Sequence, residues 1–164
     1  RDKLLQNKRE HDEFLDMLRA EDVRSYMELG SMYGGSLWKV AHALPKGSRV
    51  VSVDYAIDTP EARPHLEACI AELRHEGYDA HLVFGDSTEQ DTIERTRALG
   101  PFDCVFIDGA HTLEGVKAVD GFRIPRCFDR VVAHVFSSVA RARAERPDGV
   151  MMSGGPKRTC SSSS

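Results

Sequence analysis

The run Met27-Glu28-Leu29-Gly30-Ser31-Met32-Tyr33-Gly34-Gly35-Ser36-Leu37 constrains the fold more than any other stretch. A short apolar segment leads into it and a helical segment leaves it, so the run reads as a strand, a glycine turn and a helix start. Glycines at 30 and 34 let the backbone bend sharply and approach a ligand without a Cβ in the way. The helix that follows aims its first N–H groups at the same place. The next strand ends Val51-Ser52-Val53-Asp54. A carboxylate at that point can accept hydrogen bonds from both hydroxyls of a ribose.

The pattern of strand, turn and helix then recurs. Arg24 to Leu29 predicts the first strand, and Ser36 to Leu44 a helix ended by Pro45-Lys46-Gly47. Arg49 to Asp54 predicts the second strand. Asp58-Thr59-Pro60-Glu61 starts a helix whose Leu66, Ile70 and Leu73 share one face, with Gly77 as its C-terminal cap. Ala80 to Phe84 predicts the third strand, and Ser87 with Gln90 has capping-box spacing before another helix. Gly100-Pro101 stops that helix. Asp103-Cys104-Val105-Phe106-Ile107 is nearly continuous in apolar residues, as expected of a strand buried on both faces.

Four βα units in series imply an α/β fold: a Rossmann-like, doubly wound, mostly parallel sheet with helices on both faces. Ligands in such sheets bind beyond the C-terminal ends of the strands. Glu28, Gly30, Asp54, Asp86 and Asp108 all fall at that edge. The expected organisation is a helical segment over 1–23, carrying Leu4, Leu5, Phe14, Leu15 and Leu18, a main domain over 24–153, and a flexible polar tail over 154–164. Within the domain, 130–136 reads as a fifth strand, 138–146 as a helix and 148–153 as a short strand. Only 28 residues follow Phe136, so the C-terminal strands are expected to be incomplete, truncated or rearranged. No initiator Met is present, and the numbering is expected to begin inside a longer chain.

A length of 164 residues suits one domain. With 41% hydrophobic and 29% charged residues the composition is that of an ordinary soluble protein, expected in the cytoplasm. No apolar run reaches the roughly 18 residues that would span a membrane, and the charged start lacks a signal core. A net charge of −4 argues against a nucleic-acid partner, which normally shows as a basic stripe. Cys69, Cys104, Cys127 and Cys160 are widely spaced with no C-x-x-C pair, which disfavours zinc. Cys69 and Cys104 read as buried small hydrophobes.

The spacing E-x-G-x-x-x-G with an Asp some twenty residues on resembles class I S-adenosylmethionine-dependent methyltransferases. The resemblance covers roughly residues 24 to 121. It implies a first loop around Glu28, Gly30, Ser31, Tyr33, Gly34 and Ser36 that cradles the amino-acid part of S-adenosylmethionine (SAM). It likewise implies that Asp54 holds the ribose, and that Asp86 and Ser87 follow the third strand beside the adenine. Phe102-Asp103-Cys104-Val105-Phe106-Ile107-Asp108-Gly109-Ala110-His111 is similar to the fourth-strand motif of a small-molecule branch that includes sugar and macrolide O-methyltransferases and cephalosporin hydroxylase-like proteins. Related enzymes usually have a fifth strand ending in a His-Asp or Asp-Asn pair; here Val131-Val132-Ala133-His134-Val135-Phe136 has a His but no adjacent Asp.

Methyl transfer needs a nucleophile held close and aligned, and a base helps when the acceptor is a hydroxyl. Asp108 and His111, just beyond the fourth strand, are the candidates; Asp108 also lies near the cofactor. Metal-dependent relatives place Mg²⁺ on an Asp here plus a later acidic pair. Asp108 is the one candidate ligand, because that pair is missing. The implied partners are a small-molecule acceptor and a second copy of the chain, since family members often pair. Two other readings stay open: a catalytically inactive cofactor-binding domain, and a nicotinamide-dependent oxidoreductase. The spacing of Gly30 and Gly34 disfavours the second. The tyrosine and tryptophan of the first turn and helix, Tyr33 and Trp38, also suit packing. His11, His42, His65, His75 and His81 read as solvated or structural.

Overall fold

The computed structural model describes residues 8–56, 59–108 and 131–133. The chain runs α1 (Lys8–Ala20), β1 (Ser25–Leu29), α2 (Gly35–Ala43), β2 (Arg49–Asp54), α3 (Ala62–His75), β3 (Asp79–Phe84), α4 (Gln90–Arg97), β4 (Cys104–Ile107) and β5 (Val131–Ala133). The five strands form one sheet in the order β3-β2-β1-β4-β5, and every pairing is parallel. β1 is therefore central. The chain walks from β1 outward to β3, then returns to the other flank of β1 through α4. That reversal is the switch point where open parallel sheets leave a crevice.

Period-two alternation divides the sheet side chains between two cores. Tyr26, Val50, Ala80, Cys104 and Phe106 pack with Leu18 of α1, Leu37 and Val40 of α2, and Leu66, Ile70 and Leu73 of α3. Met27, Leu29, Val51, Val53, Val83, Val105 and Ile107 face the other way, with Phe102, Ile93 and Leu99. Helices thus cover both faces, and the sheet is buried on both, which is why β4 contains no polar side chain. Phe14 of α1 closes the first core, its ring 5.2 Å from Phe106 and 6.3 Å from Tyr26. His11, one turn earlier, is buried at 4% exposure and packs near Phe14, so its role is structural. The start of β1 is tied to β4 by Asp103, whose Oδ2 accepts N–H bonds from Arg24 and Ser25, both at 2.9 Å.

Strand and helix positions follow the sequence expectation closely, and Gly77 caps α3 with φ +92°. The capping box does not form. α4 starts at Gln90, and no side chain caps its first turn. The reason is local: Asp86 Oδ1 takes both the N–H and the hydroxyl of Thr88, making a turn that ends before the helix begins. Of the strand expected at 130–136, Val131–Ala133 is present as β5, and the rest lies outside the described residues. Leu4, Leu5, Asp58, His111, His134, the 138–153 elements and the 154–164 tail lie outside the described residues.

Candidate functional site

Four strands deliver their C-terminal ends side by side. Leu29 is level with Val53 on one flank and Ile107 on the other, and Asp54 is level with Phe84. The ladder runs one step past the strands: Gly30 N–H bonds Val53 O, Gly85 N–H bonds Asp54 O, and Asp108 N–H bonds Leu29 O. Across the edge the sequence of groups is therefore Asp86, Asp54, the glycine loop, Asp108. The strand ends expected to carry these groups lie side by side, and the switch point lies between the glycine loop and Asp108.

Asp54 is bound to the loop it faces. Its Oδ2 accepts the N–H groups of Ser31 (2.9 Å) and Met32 (2.8 Å), and its Oδ1 accepts that of Ala56 (2.8 Å). Met32 and Ala56 have φ of +50° and +52°, a conformation that side-chain-bearing residues seldom adopt. The carboxylate thus holds two unfavourable backbone turns in place. Beside it, Met32 and Tyr55 are the large apolar side chains left exposed among the described residues, at 37% and 48%.

The rest of the loop is anchored from below. Glu28 is fully buried. Its Oε2 accepts the phenol of Tyr26 at 2.9 Å and its Oε1 the hydroxyl of Ser36 at 2.5 Å. Burial pushes its pKa up to about 7, against the opposing hydrogen bonds from Ser36 and Tyr26, and the nearby Asp108 raises it further. The Tyr26 phenol is pushed well above its ordinary range, first by burial and then by the Glu28 charge. Ser31 is also buried and accepts the Ser52 hydroxyl at 2.8 Å. Gly34, φ +78°, caps α2 without a side-chain bond, and a Cβ there would stand 3.1 Å from Cys69 Cβ and Sγ. This glycine is demanded by α3 packing against the loop and by the left-handed turn.

Tyr33 turns toward α3, its ring 5.7 Å from and edge-on to His65. It lines a groove of about 320 Å³ between α2 and α3, with Gly34, Trp38, His65, Cys69 and Glu72. None of the strand-end carboxylates lines that groove. Asp86 is half-buried, and the Thr88 N–H holds its carboxyl below the ordinary range. Ser87 is half-buried beside it. Among the described residues no three His, Cys, Asp or Glu side chains converge as a metal cluster would require. No helix among them is long and apolar enough to cross a membrane.

Of the residues expected at the site, Gly30, Asp54, Asp86 and Asp108 share the crevice edge. Glu28, Ser31 and Ser36 form the layer beneath, and Tyr33 lies to the side. Tyr26 and Ser52 were not anticipated. Their signal was available: Tyr26 is two residues before Glu28 on one strand, hence on the same face.

Comparison with known proteins places these features. A family model described as a methyltransferase domain matches residues 27–134, more than half of the chain. The chain is 31% identical over 97 residues to ribosomal RNA large subunit methyltransferase E of Myxococcus xanthus, covering 59% of this chain and 40% of that protein. Among solved structures, it is similar to the O-methyltransferase TomG of Streptomyces achromogenes, involved in tomaymycin synthesis and in complex with SAM. The TM-score is 0.61 and identity 21%, over 90% of this chain and 65% of that one. It is also similar to the S-adenosylhomocysteine (SAH)-bound methyltransferase PaMTH1 of Podospora anserina, with TM-score 0.57 and 16% identity over 70% of this chain and 47% of that one. The chain thus spans less than half of the matched bacterial protein and about half to two thirds of these structures. At such identities the structural likeness establishes the fold.

Proposed function

The chain belongs to the methyltransferase-domain family, and from that membership we propose that it moves a methyl group from SAM to a hydroxyl of a small molecule. The observation that carries the reading is the meeting of the glycine loop, Asp54, Asp86 and Asp108 at neighbouring strand ends around the switch point.

The residues present fit the cofactor. α2 has no acidic residue in its first turn and no side-chain cap, so its first N–H groups are suited to a carboxylate such as that of the cofactor's amino-acid part. Asp54 has three of its roughly four acceptor positions filled by backbone N–H groups, which leaves room for one ribose hydroxyl. Met32 and Tyr55 offer apolar surface for the flat face of the adenine. Bound SAM supplies the electrophilic methyl group. The chain's own part is to fix the loop through Asp54 and Glu28, and to set Asp108 across the switch point, where it can take the acceptor's proton. His111 is the second candidate base. No step here requires a metal.

Calorimetric titration with SAM and SAH, with NAD as control, tests the cofactor. Binding of the first two alone is expected, weakened in Asp54→Asn; no binding by folded wild type overturns the reading. A second reading, methylation of ribosomal RNA, is favoured by the Myxococcus relative. Transfer of labelled methyl to hydroxylated small molecules supports the first reading. Label found in RNA alone supports the second.

A further inference from the structure

At the end of the sheet opposite the crevice, where β2 and β3 begin, the last turn of α2 meets the end of α3. His42 is held there between several elements. Its Nδ1 lies 2.8 Å from the carbonyl oxygen of Trp38 on its own helix, and its Nε2 lies 2.7 Å from Oε2 of Glu76, the residue that ends α3. The ring stacks on the Trp38 indole at 3.8 Å and meets the Tyr78 ring edge-on at 5.7 Å. Lys46 completes the cluster. Its Nζ donates to the same Glu76 oxygen at 3.1 Å and stands 4.1 Å from the centre of the Tyr78 ring.

The two ring nitrogens decide the charge. A carbonyl oxygen and an ionised carboxylate can only accept. A neutral imidazole has one N–H, so either tautomer would aim a lone pair at one of these two oxygens; the imidazolium has an N–H for each. Glu76 does not supply the missing proton, because the Lys46 ammonium beside it holds its carboxyl below the ordinary range, with the His42 bond adding to this. The surroundings suit a cation: the ring sits in the last turn of a helix and against an indole face. Lys39 lies one turn earlier on α2, and Glu72, His65 and Cys69 of α3 share the groove with Trp38. We propose that His42 is a proton-operated latch: as imidazolium it ties the end of α2 to the end of α3, and loss of the proton opens its contact with Glu76. The Trp38 carbonyl is on the same helix and keeps the remaining N–H, so the contact between helices is the one that gives. Trp38 is also a wall of the groove between α2 and α3, so the proton on His42 sets how firmly that wall is held. Histidine ordinarily exchanges its proton between about pH 5 and 8, which makes the latch responsive near neutrality. The latch does not depend on the cofactor reading.

Trp38 is the single tryptophan of the chain, so its emission reports the latch without a label. The experiment follows that emission from about pH 5 to 8, with long-range nitrogen–proton spectra of the histidine rings and nuclear Overhauser contacts from His42 to the Glu76 methylenes at both ends of the range. In wild type, the ring is expected to carry two N–H groups at the low end and one at the high end. The contacts to Glu76 are lost on the way, and emission rises as the quenching imidazolium disappears from the stack. His42→Phe keeps a stacked ring without a proton to lose, and flat emission is expected. Glu76→Gln offers an amide that can bond either form of the ring, so the contacts are expected at both ends and the rise at lower pH than in wild type. A solvated histidine would titrate without moving Glu76 and without responding to Glu76→Gln. Contacts that persist unchanged across the range in wild type overturn the proposal, as does an unshifted rise in Glu76→Gln. A rise that survives in His42→Phe belongs to His65 or Cys69 and overturns it too.

Discussion

The loops after β1 and after β3 both begin with glycine at a strand end and both reach the crevice, yet they are held differently. The β1 loop is held from outside itself, at long range by Asp54 from the next strand and across eight residues by Glu28 from below. The β3 loop is held by itself, through Asp86 and Thr88 two residues apart. Long-range anchors fix a loop to the sheet and preorganise it before a ligand arrives. A self-contained turn keeps its shape but not its distance to the rest of the edge. The first loop thus suits the part of a ligand that must be placed accurately, and the second the part that need only be covered.

The sharpest way to break that contrast is Asp54→Ala. It removes charge-assisted bonds from three backbone N–H groups, two of them at left-handed residues, and a loss of about 3 to 4 kcal/mol is expected in urea unfolding. A loss below that of any Asp86 variant would erase the distinction between the loops.

Next in size is the pH dependence carried by Glu28. Its carboxyl is raised from 4.5 to about 7 in the folded chain. The folded state therefore holds this proton more tightly than the unfolded chain. The contribution is complete below about pH 4.5 and is lost as pH rises through about 7. Between those limits the loss amounts to about 3 kcal/mol. Glu28→Gln should remove it, so the variant is expected to gain on wild type from pH 5 to about 7 and to level off above that in parallel denaturation curves.

A smaller effect is expected where the loop meets α3. Gly34→Ala forces a Cβ into the left-handed region and against Cys69, and a cost of about 2 kcal/mol should appear as a lower melting temperature. Smallest is Asp86→Ala. The residue is partly exposed and its bonds are local, so a change under about 1 kcal/mol is expected, with its low pKa visible in a carboxyl NMR titration of wild type.

The same contrast marks what could be read in the residue pattern. Arg49–Asp54 was expected as a strand and is one to the residue, because alternation and turn residues are local signals. The crevice positions follow from strand ends, so Asp54 and Asp108 could be placed without coordinates. What Asp54 holds could not. Two of its partners, the N–H groups of Ser31 and Met32, are more than twenty positions away, and every residue but proline carries such a group. The Ser87 and Gln90 pair looked like a capping box because its spacing was right; Asp86 competed locally for Thr88 and ended the turn first. Glu28 was expected at the ligand because the glycines beside it are. Its side chain instead follows the alternation of β1 into the core with Tyr26.

The sheet order has a consequence while the chain is still being made. β1 meets β2 soon after synthesis, but its other flank waits for β4, as the 78 positions between Ser25 and Asp103 show. At ribosomal speeds that interval lasts roughly 4 to 16 s. During it, the strand destined for the middle of the sheet stands at an edge, open to the same strand of a neighbouring nascent chain. Glu28, not yet buried, then carries an ordinary negative charge in that otherwise apolar segment, and like charges keep such edges apart. The side chain that is hardest to accommodate in the finished protein is the one that guards it before it is finished.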